Sequence, residues 1–411
     1  MVKSGFSLCF FMAIYLVAGM AQSDCVAGRY TTEMFSSVST TTVQYGKNIG
    51  INTSDSLNLM MDIYQPDGDS AEKRPVFIWA HGGSFISGNR SDMAVLCEQY
   101  AKMGYVTATI DYHLWPIFGG IPDSSDVVDV VIKSIGDMKG AIRYFKADQE
   151  GSNLYKIDST RIIIGGISAG AIIAMHAGHL DTTDIIPQFI QDAIDNNGGL
   201  EGEANFLANS SNVLAVYNMS GALFKSEIID HEDPSFISYH GTSDDVVPFR
   251  TGTAINIITL DGSGVCHEQA DLINVTNRLD SVNGGGHTDI YDPNGSFSSN
   301  LESFIENANI FIGNQVCPGL ISAATTFVPN ELVSIFPNPA EDEIMVQLPS
   351  TEKKIYVRMF DALGRLINTR EYYRADQFRI SRPLNGYGIY FLEISTPSSR
   401  LAPVVKKVIF K

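Results

Sequence analysis

Residues 161–170 are Arg-Ile-Ile-Ile-Gly-Gly-Ile-Ser-Ala-Gly, and an alanine-rich stretch, residues 171–178, follows them directly. The apolar run predicts a buried strand, the pentapeptide at 166–170 has the pattern G-x-S-x-G, and the alanine-rich stretch predicts a helix. This succession is typical of a nucleophile elbow, a sharp strand-to-helix turn that presents a serine hydroxyl at the edge of a sheet. The helix would also point its first amides at any negative charge formed at the serine. The segment therefore predicts a serine hydrolase with Ser168 as its nucleophile.

The pentapeptide has an alternative interpretation, a helix-opening turn in which the serine merely caps the helix. Glycine accounts for 36 of the 411 residues, so a chance match in a chain of this length is plausible. The strand before the motif and the helix after it favour the elbow. A hydrolase must also supply an acid, a base and oxyanion donors from elsewhere in the chain.

The composition is that of an ordinary globular protein. Apolar residues make up 44% of the chain and charged residues 18%, which argues against a disordered chain. The formal net charge of −18 argues against nucleic acid and anionic membrane surfaces as partners. These features suit an exported protein that acts on neutral substrates.

The first residues have the features of a secretory signal peptide. Lys3 provides a positive start, residues 6–18 are apolar, and Gly19 and Ala21 are small residues at the positions expected before a cleavage site. A signal anchor is the alternative, but the apolar run is short for a bilayer span. We expect residues 1–21 to be removed and the mature chain to lack a membrane span.

Four cysteines remain after the predicted cleavage, at positions 25, 97, 266 and 317. An oxidising compartment favours two disulfides, and four cysteines allow three pairings. Our expectation is Cys25–Cys97 and Cys266–Cys317, with free buried thiols as the alternative. None of the four has C-x-x-C spacing or a neighbouring histidine, which argues against a zinc site. We expect neither a metal nor a cofactor.

Strand and helix patterns alternate from residue 57 onward, which predicts a mostly parallel sheet with helices on both faces. The carboxyl ends of such strands meet at one edge, where ligands bind. The predicted catalytic domain covers residues 22–312. Its predicted strands are 57–64, 75–80, 106–110, 162–164, 213–219, 236–239 and 277–282, and its predicted helices are 92–103, 126–148, the elbow helix and 297–311.

Helix patterns disappear after residue 312. Residues 313–331 are rich in small residues, threonine, glycine and proline, which predicts a linker. Short alternating or apolar runs separated by turn residues follow, and they predict a small all-β antiparallel sandwich over residues 332–411.

Two later segments offer the partners that a serine nucleophile needs. Asp244 follows a predicted strand that ends at the same sheet edge as the elbow, and Asp245 is the alternative acid. The alternative, a purely structural role in an Asx-turn or as a helix cap, suits one of the two aspartates. His287 follows three glycines on a loop beyond the last strand. None of the other histidines combines such a late position with a flexible loop. The order serine, acid, histidine is that of parallel-sheet hydrolases.

The oxyanion donors require a loop after a strand upstream of the elbow. The sequence His81-Gly-Gly-Ser84-Phe follows the predicted strand 75–80, and its glycines allow the backbone to approach a substrate. We expect the amides of Gly83, Ser84 and Ala169 to form the oxyanion hole. A plain Gly-Gly turn is the alternative.

These motifs, with Asp111-Tyr-His113-Leu and His240-Gly-Thr-Ser-Asp, resemble the α/β-hydrolase carboxylesterases over residues 56–313. The similarity is to the branch of hormone-sensitive-lipase-like and feruloyl or acetyl esterases. It implies the α/β-hydrolase fold and cleavage of carboxylic esters. Two positions depart from that pattern, since Ser84 replaces a third loop glycine and His113 replaces an arginine that would form a salt bridge. Asp111 is expected to support the His81 loop.

Residues 332–411 resemble a type IX secretion C-terminal sorting domain of type A. The resemblance rests on Ile335-Phe-Pro-Asn-Pro-Ala, Phe360-Asp-Ala-Leu-Gly-Arg, Leu384-Asn-Gly-Tyr-Gly-Ile-Tyr and Val404-Val-Lys-Lys-Val-Ile-Phe-Lys. It implies export through the periplasm and outer membrane, with the type IX secretion machinery as a partner, to a secreted or cell-surface location.

The leading hypothesis is a secreted serine esterase that acts on short-chain or aryl esters, either small molecules or esters linked to a polysaccharide. A prolyl-oligopeptidase-like peptidase is the first alternative, although the chain offers little sequence before residue 56 for a propeller. A non-catalytic binding module on a hydrolase scaffold is the second. Residues 181–212 form either a small cap over the site or an ordinary packed helix.

Overall fold

The computed structural model describes residues 24–26, 28–116, 120–254, 258–318, 333–361, 365–383, 387–395 and 404–411. The predicted signal peptide, residues 1–21, lies outside the described residues. Residues 319–331 of the predicted linker also lie outside them.

The part of the chain predicted to be catalytic is built on a central sheet with a small second sheet beside it. Its strands in chain order are β1 (Val38–Ile49), β2 (Ser56–Pro66), β3 (Arg74–Ala80), β4 (Val106–Ile110), β5 (Ile157–Ile167), β6 (Ala215–Met219), β7 (Ala222–Leu223), β8 (Ser235–Gly241), β9 (Thr251–Ala254), β10 (Ile258–Gly262) and β11 (Asn277–Val282). The central order is β1-β2-β4-β3-β5-β6-β8-β11, and β7-β10-β9 form the second sheet.

In the central sheet β2 is antiparallel to both of its neighbours, β1 and β4. Every pair of neighbouring strands from β4 to β11 is parallel. This confirms the predicted mostly parallel sheet. The carboxyl ends of β3, β5, β8 and β11 therefore lie at one edge. The loops that follow these four strands carry all the predicted site residues.

Six α-helices flank the sheet in the described chain, α1 (Ala94–Lys102), α2 (Ser124–Glu150), α3 (Ala169–His179), α4 (Gln188–Asn196), α5 (Ser263–Ile273) and α6 (Ser298–Val316). Buried side chains of α2, α3 and α5 belong to one core, and those of α1 and α6 to another. The side chains of β3 alternate between the two, with Val76 and Ile78 in the first core and Phe77 and Trp79 in the second. This period of two places the cores on opposite faces of the sheet.

Several elements differ from the sequence prediction. The strands β1, β7, β9 and β10 and the helix α5 were not predicted. β1 is an edge strand with mostly exposed side chains, and the buried side of α5 consists of small or polar residues, Ser263, Gly264, Cys266, His267 and Ala270. The helix α6 continues through Val316, so residues 313–316 of the predicted linker are helical. The division into domains otherwise remains a prediction.

The expected disulfide pairing is wrong. Cys25 is bonded to Cys317, with their Cα atoms 5.8 Å apart, whereas Cys97 and Cys266 are buried free thiols. Cys266 belongs to the core on one face of the sheet and Cys317 to the core on the other, so the sheet separates them. The bond instead connects the first described residues to the end of α6.

Residues 334–410 form five antiparallel strands, β12 (Ser334–Phe336), β13 (Glu343–Asp361), β14 (Leu366–Ser381), β15 (Gly388–Ser395) and β16 (Val404–Phe410). This confirms the all-β character of the C-terminal part. Two predicted strands merge into β13, whose register with β14 shifts between Gln347 and Glu352. The apolar side chains of both halves of β13 enter a single core.

Candidate functional site

Ser168 lies between β5 and α3 in a conformation that a non-glycine residue rarely adopts, with φ 55° and ψ −118°. The flanking glycines allow this turn, because a Cβ atom on Gly166 would lie 2.3 Å from Gly170 and one on Gly170 would lie 2.1 Å from the Ala80 carbonyl oxygen. The Ser168 amide donates to the Met219 carbonyl at 2.8 Å, which ties the turn to β6. Strained backbone of this kind is typical of functional sites.

The structure brings the side chains of Ser168, Asp244 and His287 within hydrogen-bond distance of one another in a chain of two contacts. Nε2 of His287 lies 2.9 Å from Oγ of Ser168, and Nδ1 of His287 lies 2.7 Å from Oδ2 of Asp244. The side chain of Asp244 is fully buried and that of His287 is 13% exposed. A nucleophile, a base and a carboxylate in this sequence of contacts can transfer a proton away from the serine hydroxyl.

The Asp244 carboxylate is held in its charged form. Burial alone would raise its pKa, but hydrogen bonds from His240 and His287 outweigh burial and hold the pKa well below its usual range. Oδ1 also accepts the amides of Val246 and Val247, each at 2.9 Å. Asp244 therefore has a partner for each carboxylate oxygen and remains available as an anion to orient His287.

The loops that carry Asp244 and His287 are bonded directly to each other. The Ser243 amide donates to the Gly285 carbonyl at 2.9 Å, and the Gly284 amide donates to Oγ1 of Thr242 at 2.9 Å. A Cβ atom on Gly241 would lie 2.3 Å from the Gly285 carbonyl oxygen, so this close approach requires glycine. The two loops thus hold Asp244 and His287 in a fixed relation.

The alternative acid Asp245 does not contact His287, but a second histidine contacts Asp244. Asp245 is exposed, and His287 contacts Asp244 rather than Asp245. Nε2 of His240 lies 3.2 Å from Oδ2 of Asp244, so Asp244 contacts a second histidine in addition to His287. Sequence analysis missed this contact, although the spacing of His240 and Asp244 around one turn could have indicated it.

The predicted oxyanion loop has a left-handed backbone at three consecutive residues, with φ 117° at Gly83, 53° at Ser84 and 61° at Phe85. Within the described part of the chain, neither the Gly83 nor the Ser84 amide donates to a protein acceptor. The Ala169 amide is at the start of α3, where helix geometry provides no acceptor. These amides are therefore free to bind an oxyanion. The positive φ of Ser84 is a backbone conformation that favours glycine over residues with a side chain.

Asp111 supports the end of this loop through Arg90 rather than through His81. Its carboxylate accepts the Arg90 amide at 2.9 Å and the Arg90 side chain at 2.5 Å. The His81 carbonyl instead accepts Oη–H of Tyr112 at 2.7 Å. Arg90 thus supplies the cation that His113 does not.

His113 has a different partner. Its Nδ1 lies 2.7 Å from Oδ2 of Asp137 on α2, and both side chains are buried. The same carboxylate oxygen accepts the His113 amide at 2.8 Å. The pair fixes the segment after β4 to α2.

A cavity of about 230 Å³ adjoins Ser168 and is lined by Ser84, Ser168 and Ala169. Its other described lining residues are almost all apolar, and they include residues of the segment 85–86, of α2, α3 and α4, of the segment 246–247 and of the β9–β10 region. Such a cavity can bind an apolar substituent while an ester carbonyl contacts Ser168.

The segment 181–212 combines the two predicted alternatives. Helix α4 packs through Ile190, Ala193 and Ile194, as an ordinary helix would. Ile190 also lines the cavity. Ile185, in the same segment, is 94% exposed.

In the described residues, no three His, Cys, Asp or Glu side chains are grouped to hold a metal ion. The expectation of no metal and no cofactor remains a prediction.

Two family models match separate parts of the chain. The BD-FAE model matches residues 61–223, and the model of the secretion system C-terminal sorting domain matches residues 334–411. Residues 61–223 are therefore similar to a BD-FAE domain and residues 334–411 to a secretion sorting domain. The BD-FAE domain has the α/β-hydrolase fold described above. The sorting domain identifies the chain as an exported protein that is secreted or held at the cell surface. None of the helices within the described ranges is long and apolar enough to span a bilayer.

Two curated relatives match within this chain. A protein named "Probable isoprenylcysteine alpha-carbonyl methylesterase" from Arabidopsis thaliana is 25% identical over 175 residues, which are 42% of this chain and 30% of that protein. Gut esterase 1 of Caenorhabditis elegans is 31% identical over 115 residues, which are 28% of this chain and 19% of that protein. The chain thus spans less than a third of the length of either relative.

Solved structures of esterase 2 from Thermogutta terrifontis are also similar. The form phosphorylated by paraoxon is 20% identical, with a TM-score of 0.47, and the match covers 66% of this chain and 91% of that chain. The propionate-bound form is 19% identical, with a TM-score of 0.48, and the match covers 66% and 93%.

Proposed function

We propose that this chain is an exported serine carboxylesterase that cleaves short-chain or aryl esters through an acyl-enzyme. The observation that carries the proposal is the position of His287, 2.9 Å from Ser168 and 2.7 Å from Asp244. The BD-FAE match over residues 61–223 supports the same reaction class. The sorting domain supports export, with the secretion machinery as a partner.

In the first half-reaction Oγ of Ser168 attacks the ester carbonyl and its proton passes to Nε2 of His287. The amides of Gly83, Ser84 and Ala169 bind the oxyanion of the tetrahedral intermediate. Asp244 accepts a hydrogen bond from Nδ1 of His287 and stabilises the imidazolium. The intermediate collapses when the alcohol leaves with the proton from Nε2, and the acyl group remains on Ser168.

In the second half-reaction a water molecule attacks the acyl carbonyl and gives a proton to Nε2 of His287. The same three amides bind the second oxyanion. Collapse releases the carboxylic acid and returns the proton to Oγ of Ser168. The base thus serves both steps without any group beyond those of the chain and water.

The direct test is burst release of p-nitrophenol from p-nitrophenyl acetate by the purified chain. We expect Ser168→Ala to abolish the burst and the turnover, while Ser70→Ala, at an exposed serine, leaves both unchanged. Triad members typically contribute several orders of magnitude to kcat. Turnover that survives Ser168→Ala would overturn the mechanism.

The variants Asp244→Asn and Asp245→Asn are a matched pair that tests which aspartate orients His287. We expect Asp244→Asn to lower kcat by about 10⁴-fold, since the wrong tautomer of His287 would then be favoured. Asp245→Asn should retain the activity because Asp245 is exposed and makes no contact with His287. Equal losses in the two variants would contradict the assignment.

A further inference from the structure

Apart from Ser84, Trp115, Ser168 and His176, the described side chains that line the cavity beside Ser168 are hydrocarbon. Val127, Val128 and Val131 of α2 line it, together with Leu180 and Ile190, which are only 3% and 4% exposed. A polar substituent that reached Leu180 or Ile190 would therefore meet hydrocarbon.

His176 is the one titratable side chain among the described lining residues, and both of its ring nitrogens are engaged. Nδ1 lies 2.8 Å from the Ile172 carbonyl, and Nε2 accepts the Phe224 amide at 3.1 Å. Because a carbonyl only accepts and an amide only donates, the ring is neutral with its proton on Nδ1. Burial lowers the pKa of His176 to about 4, although the bond to Ile172 opposes this shift. Neither nitrogen is left for a substrate.

We propose that this cavity binds the acyl group of the ester and selects acyl groups made of hydrocarbon alone over their hydroxylated analogues. The inference rests on the proposed esterase function and narrows its substrate class. The cavity receives the acyl arm because Ser84 and Ala169, two of the proposed oxyanion donors, line it beside Ser168. A hydroxyl placed against Leu180 or Ile190 loses its bonds to water and gains none from these side chains.

The size of the cavity sets the range of acyl groups. An apolar cavity of about 150 Å³ is large enough to hold benzene. The cavity of about 230 Å³ therefore accommodates a phenyl-bearing or a branched aliphatic acyl group as well as a straight chain. An acetyl group would leave most of it empty. Chains longer than acetyl gain free energy from each methylene that they bury.

The test compares methyl cinnamate with methyl 4-hydroxycinnamate, which differ by one hydroxyl at the far end of the acyl group. We expect kcat/KM of the purified chain to be about 10- to 100-fold higher for methyl cinnamate. Equal values, or a preference for the hydroxylated ester, would overturn the proposal.

A matched pair of variants tests the wall of the cavity. Val128→Thr keeps the shape of a 6% exposed side chain and adds a hydroxyl, so the preference for methyl cinnamate should narrow by at least about threefold. Val95→Thr makes the same change at a 77% exposed position of α1 and should leave both rates unchanged. An unchanged preference in Val128→Thr would count against the proposal.

Calorimetric binding to Ser168→Ala separates the cavity from the chemistry. We expect methyl cinnamate to bind this variant more tightly than methyl 4-hydroxycinnamate. Hydrolysis that depends on Ser168 but shows no preference would refute the cavity proposal alone. Preferential binding of methyl cinnamate by a wild-type chain that hydrolyses neither ester would support the cavity proposal and refute the proposed function.

Discussion

Nε2 of His240 lies 3.2 Å from Oδ2 of Asp244, the carboxylate oxygen that also contacts Nδ1 of His287. The same His240 nitrogen lies 3.0 Å from the Val247 carbonyl, and Nδ1 lies 2.8 Å from Oγ of Ser263. Because the carboxylate and the carbonyl only accept hydrogen bonds, Nε2 of His240 carries a proton. Asp244 is thus shared between two imidazoles.

This sharing predicts the effect of replacing His240. In His240→Leu the Asp244 carboxylate loses a donor and interacts more strongly with His287, so the acidic limb of the kcat/KM profile should move to higher pH. We expect kcat to fall on the order of tenfold as well. The measurement is the pH dependence of p-nitrophenyl butyrate hydrolysis.

His240→Gln is the control, because its side-chain amide can donate to Asp244 from a similar distance. It should restore most of kcat and the position of the acidic limb. If His240→Leu loses stability but keeps the wild-type profile, His240 has only a structural role.

The Ala169 amide can be removed by proline, which is well tolerated at the first position of a helix. We expect Ala169→Pro to lower kcat by about 10²- to 10³-fold, the usual cost of one oxyanion donor. Ser124→Pro makes the same change at the start of α2, where the residue is exposed, and should leave kcat unchanged. Wild-type kcat in a folded Ala169→Pro variant would exclude this amide as a donor.

The Cys25–Cys317 bond closes a loop with a sequence separation of 292 residues. Because such a bond restricts the unfolded chain, Cys317→Ser should lower the free energy of unfolding by about 2–5 kcal/mol, measured by urea denaturation. The double variant with Cys25→Ser should lose no more than either single variant. Insensitivity of the wild-type chain to reductant would contradict this prediction.

The environment of Asp233 predicts that the free energy of unfolding decreases as the pH rises. Burial and the nearby carboxylates of Asp230, Asp181 and Asp184 raise the pKa of Asp233 to about 8. The folded state therefore binds a proton that the unfolded state has released between about pH 4 and pH 8, so stability falls as the pH rises through this window.

Asp233→Asn keeps an oxygen that can accept the Asp230 amide and removes the charge. We expect its melting temperature to exceed that of the wild type by at least about 2 °C at pH 9, with a smaller difference at pH 5. Asp245→Asn, at an exposed aspartate, should not alter the pH dependence. A constant difference at both pH values would exclude the buried charge as the cause.

The fold was predictable because its signals are local. The isoleucine run before Ser168 and the short apolar run of β3 indicated buried parallel strands, and parallel strands place the loops after them at one edge. The proximity of Ser168, Asp244 and His287 follows from that topology. The edge strand β1 escaped prediction because most of its side chains face solvent and carry little apolar pattern.

Tertiary relations were not predictable from one sequence. The pairing of Cys25 with Cys317 depends on which face of the sheet each cysteine occupies, and spacing does not encode a face. Arg90 lies 21 residues before Asp111, and only the packing of the loop against β4 brings them together. The hydrogen bond that occupies Nε2 of His176 likewise comes from the Phe224 amide, which lies in a distant segment of the sequence.

The cross-link between Cys25 and Cys317 makes the hydrolase a covalently closed ring of polypeptide. Outside the cell, a protease that cuts one surface loop between these two positions leaves both fragments tethered. The fragments remain at high effective concentration and can stay associated. Two cuts, or one cut and a reductant, are needed before any piece of the hydrolase is released.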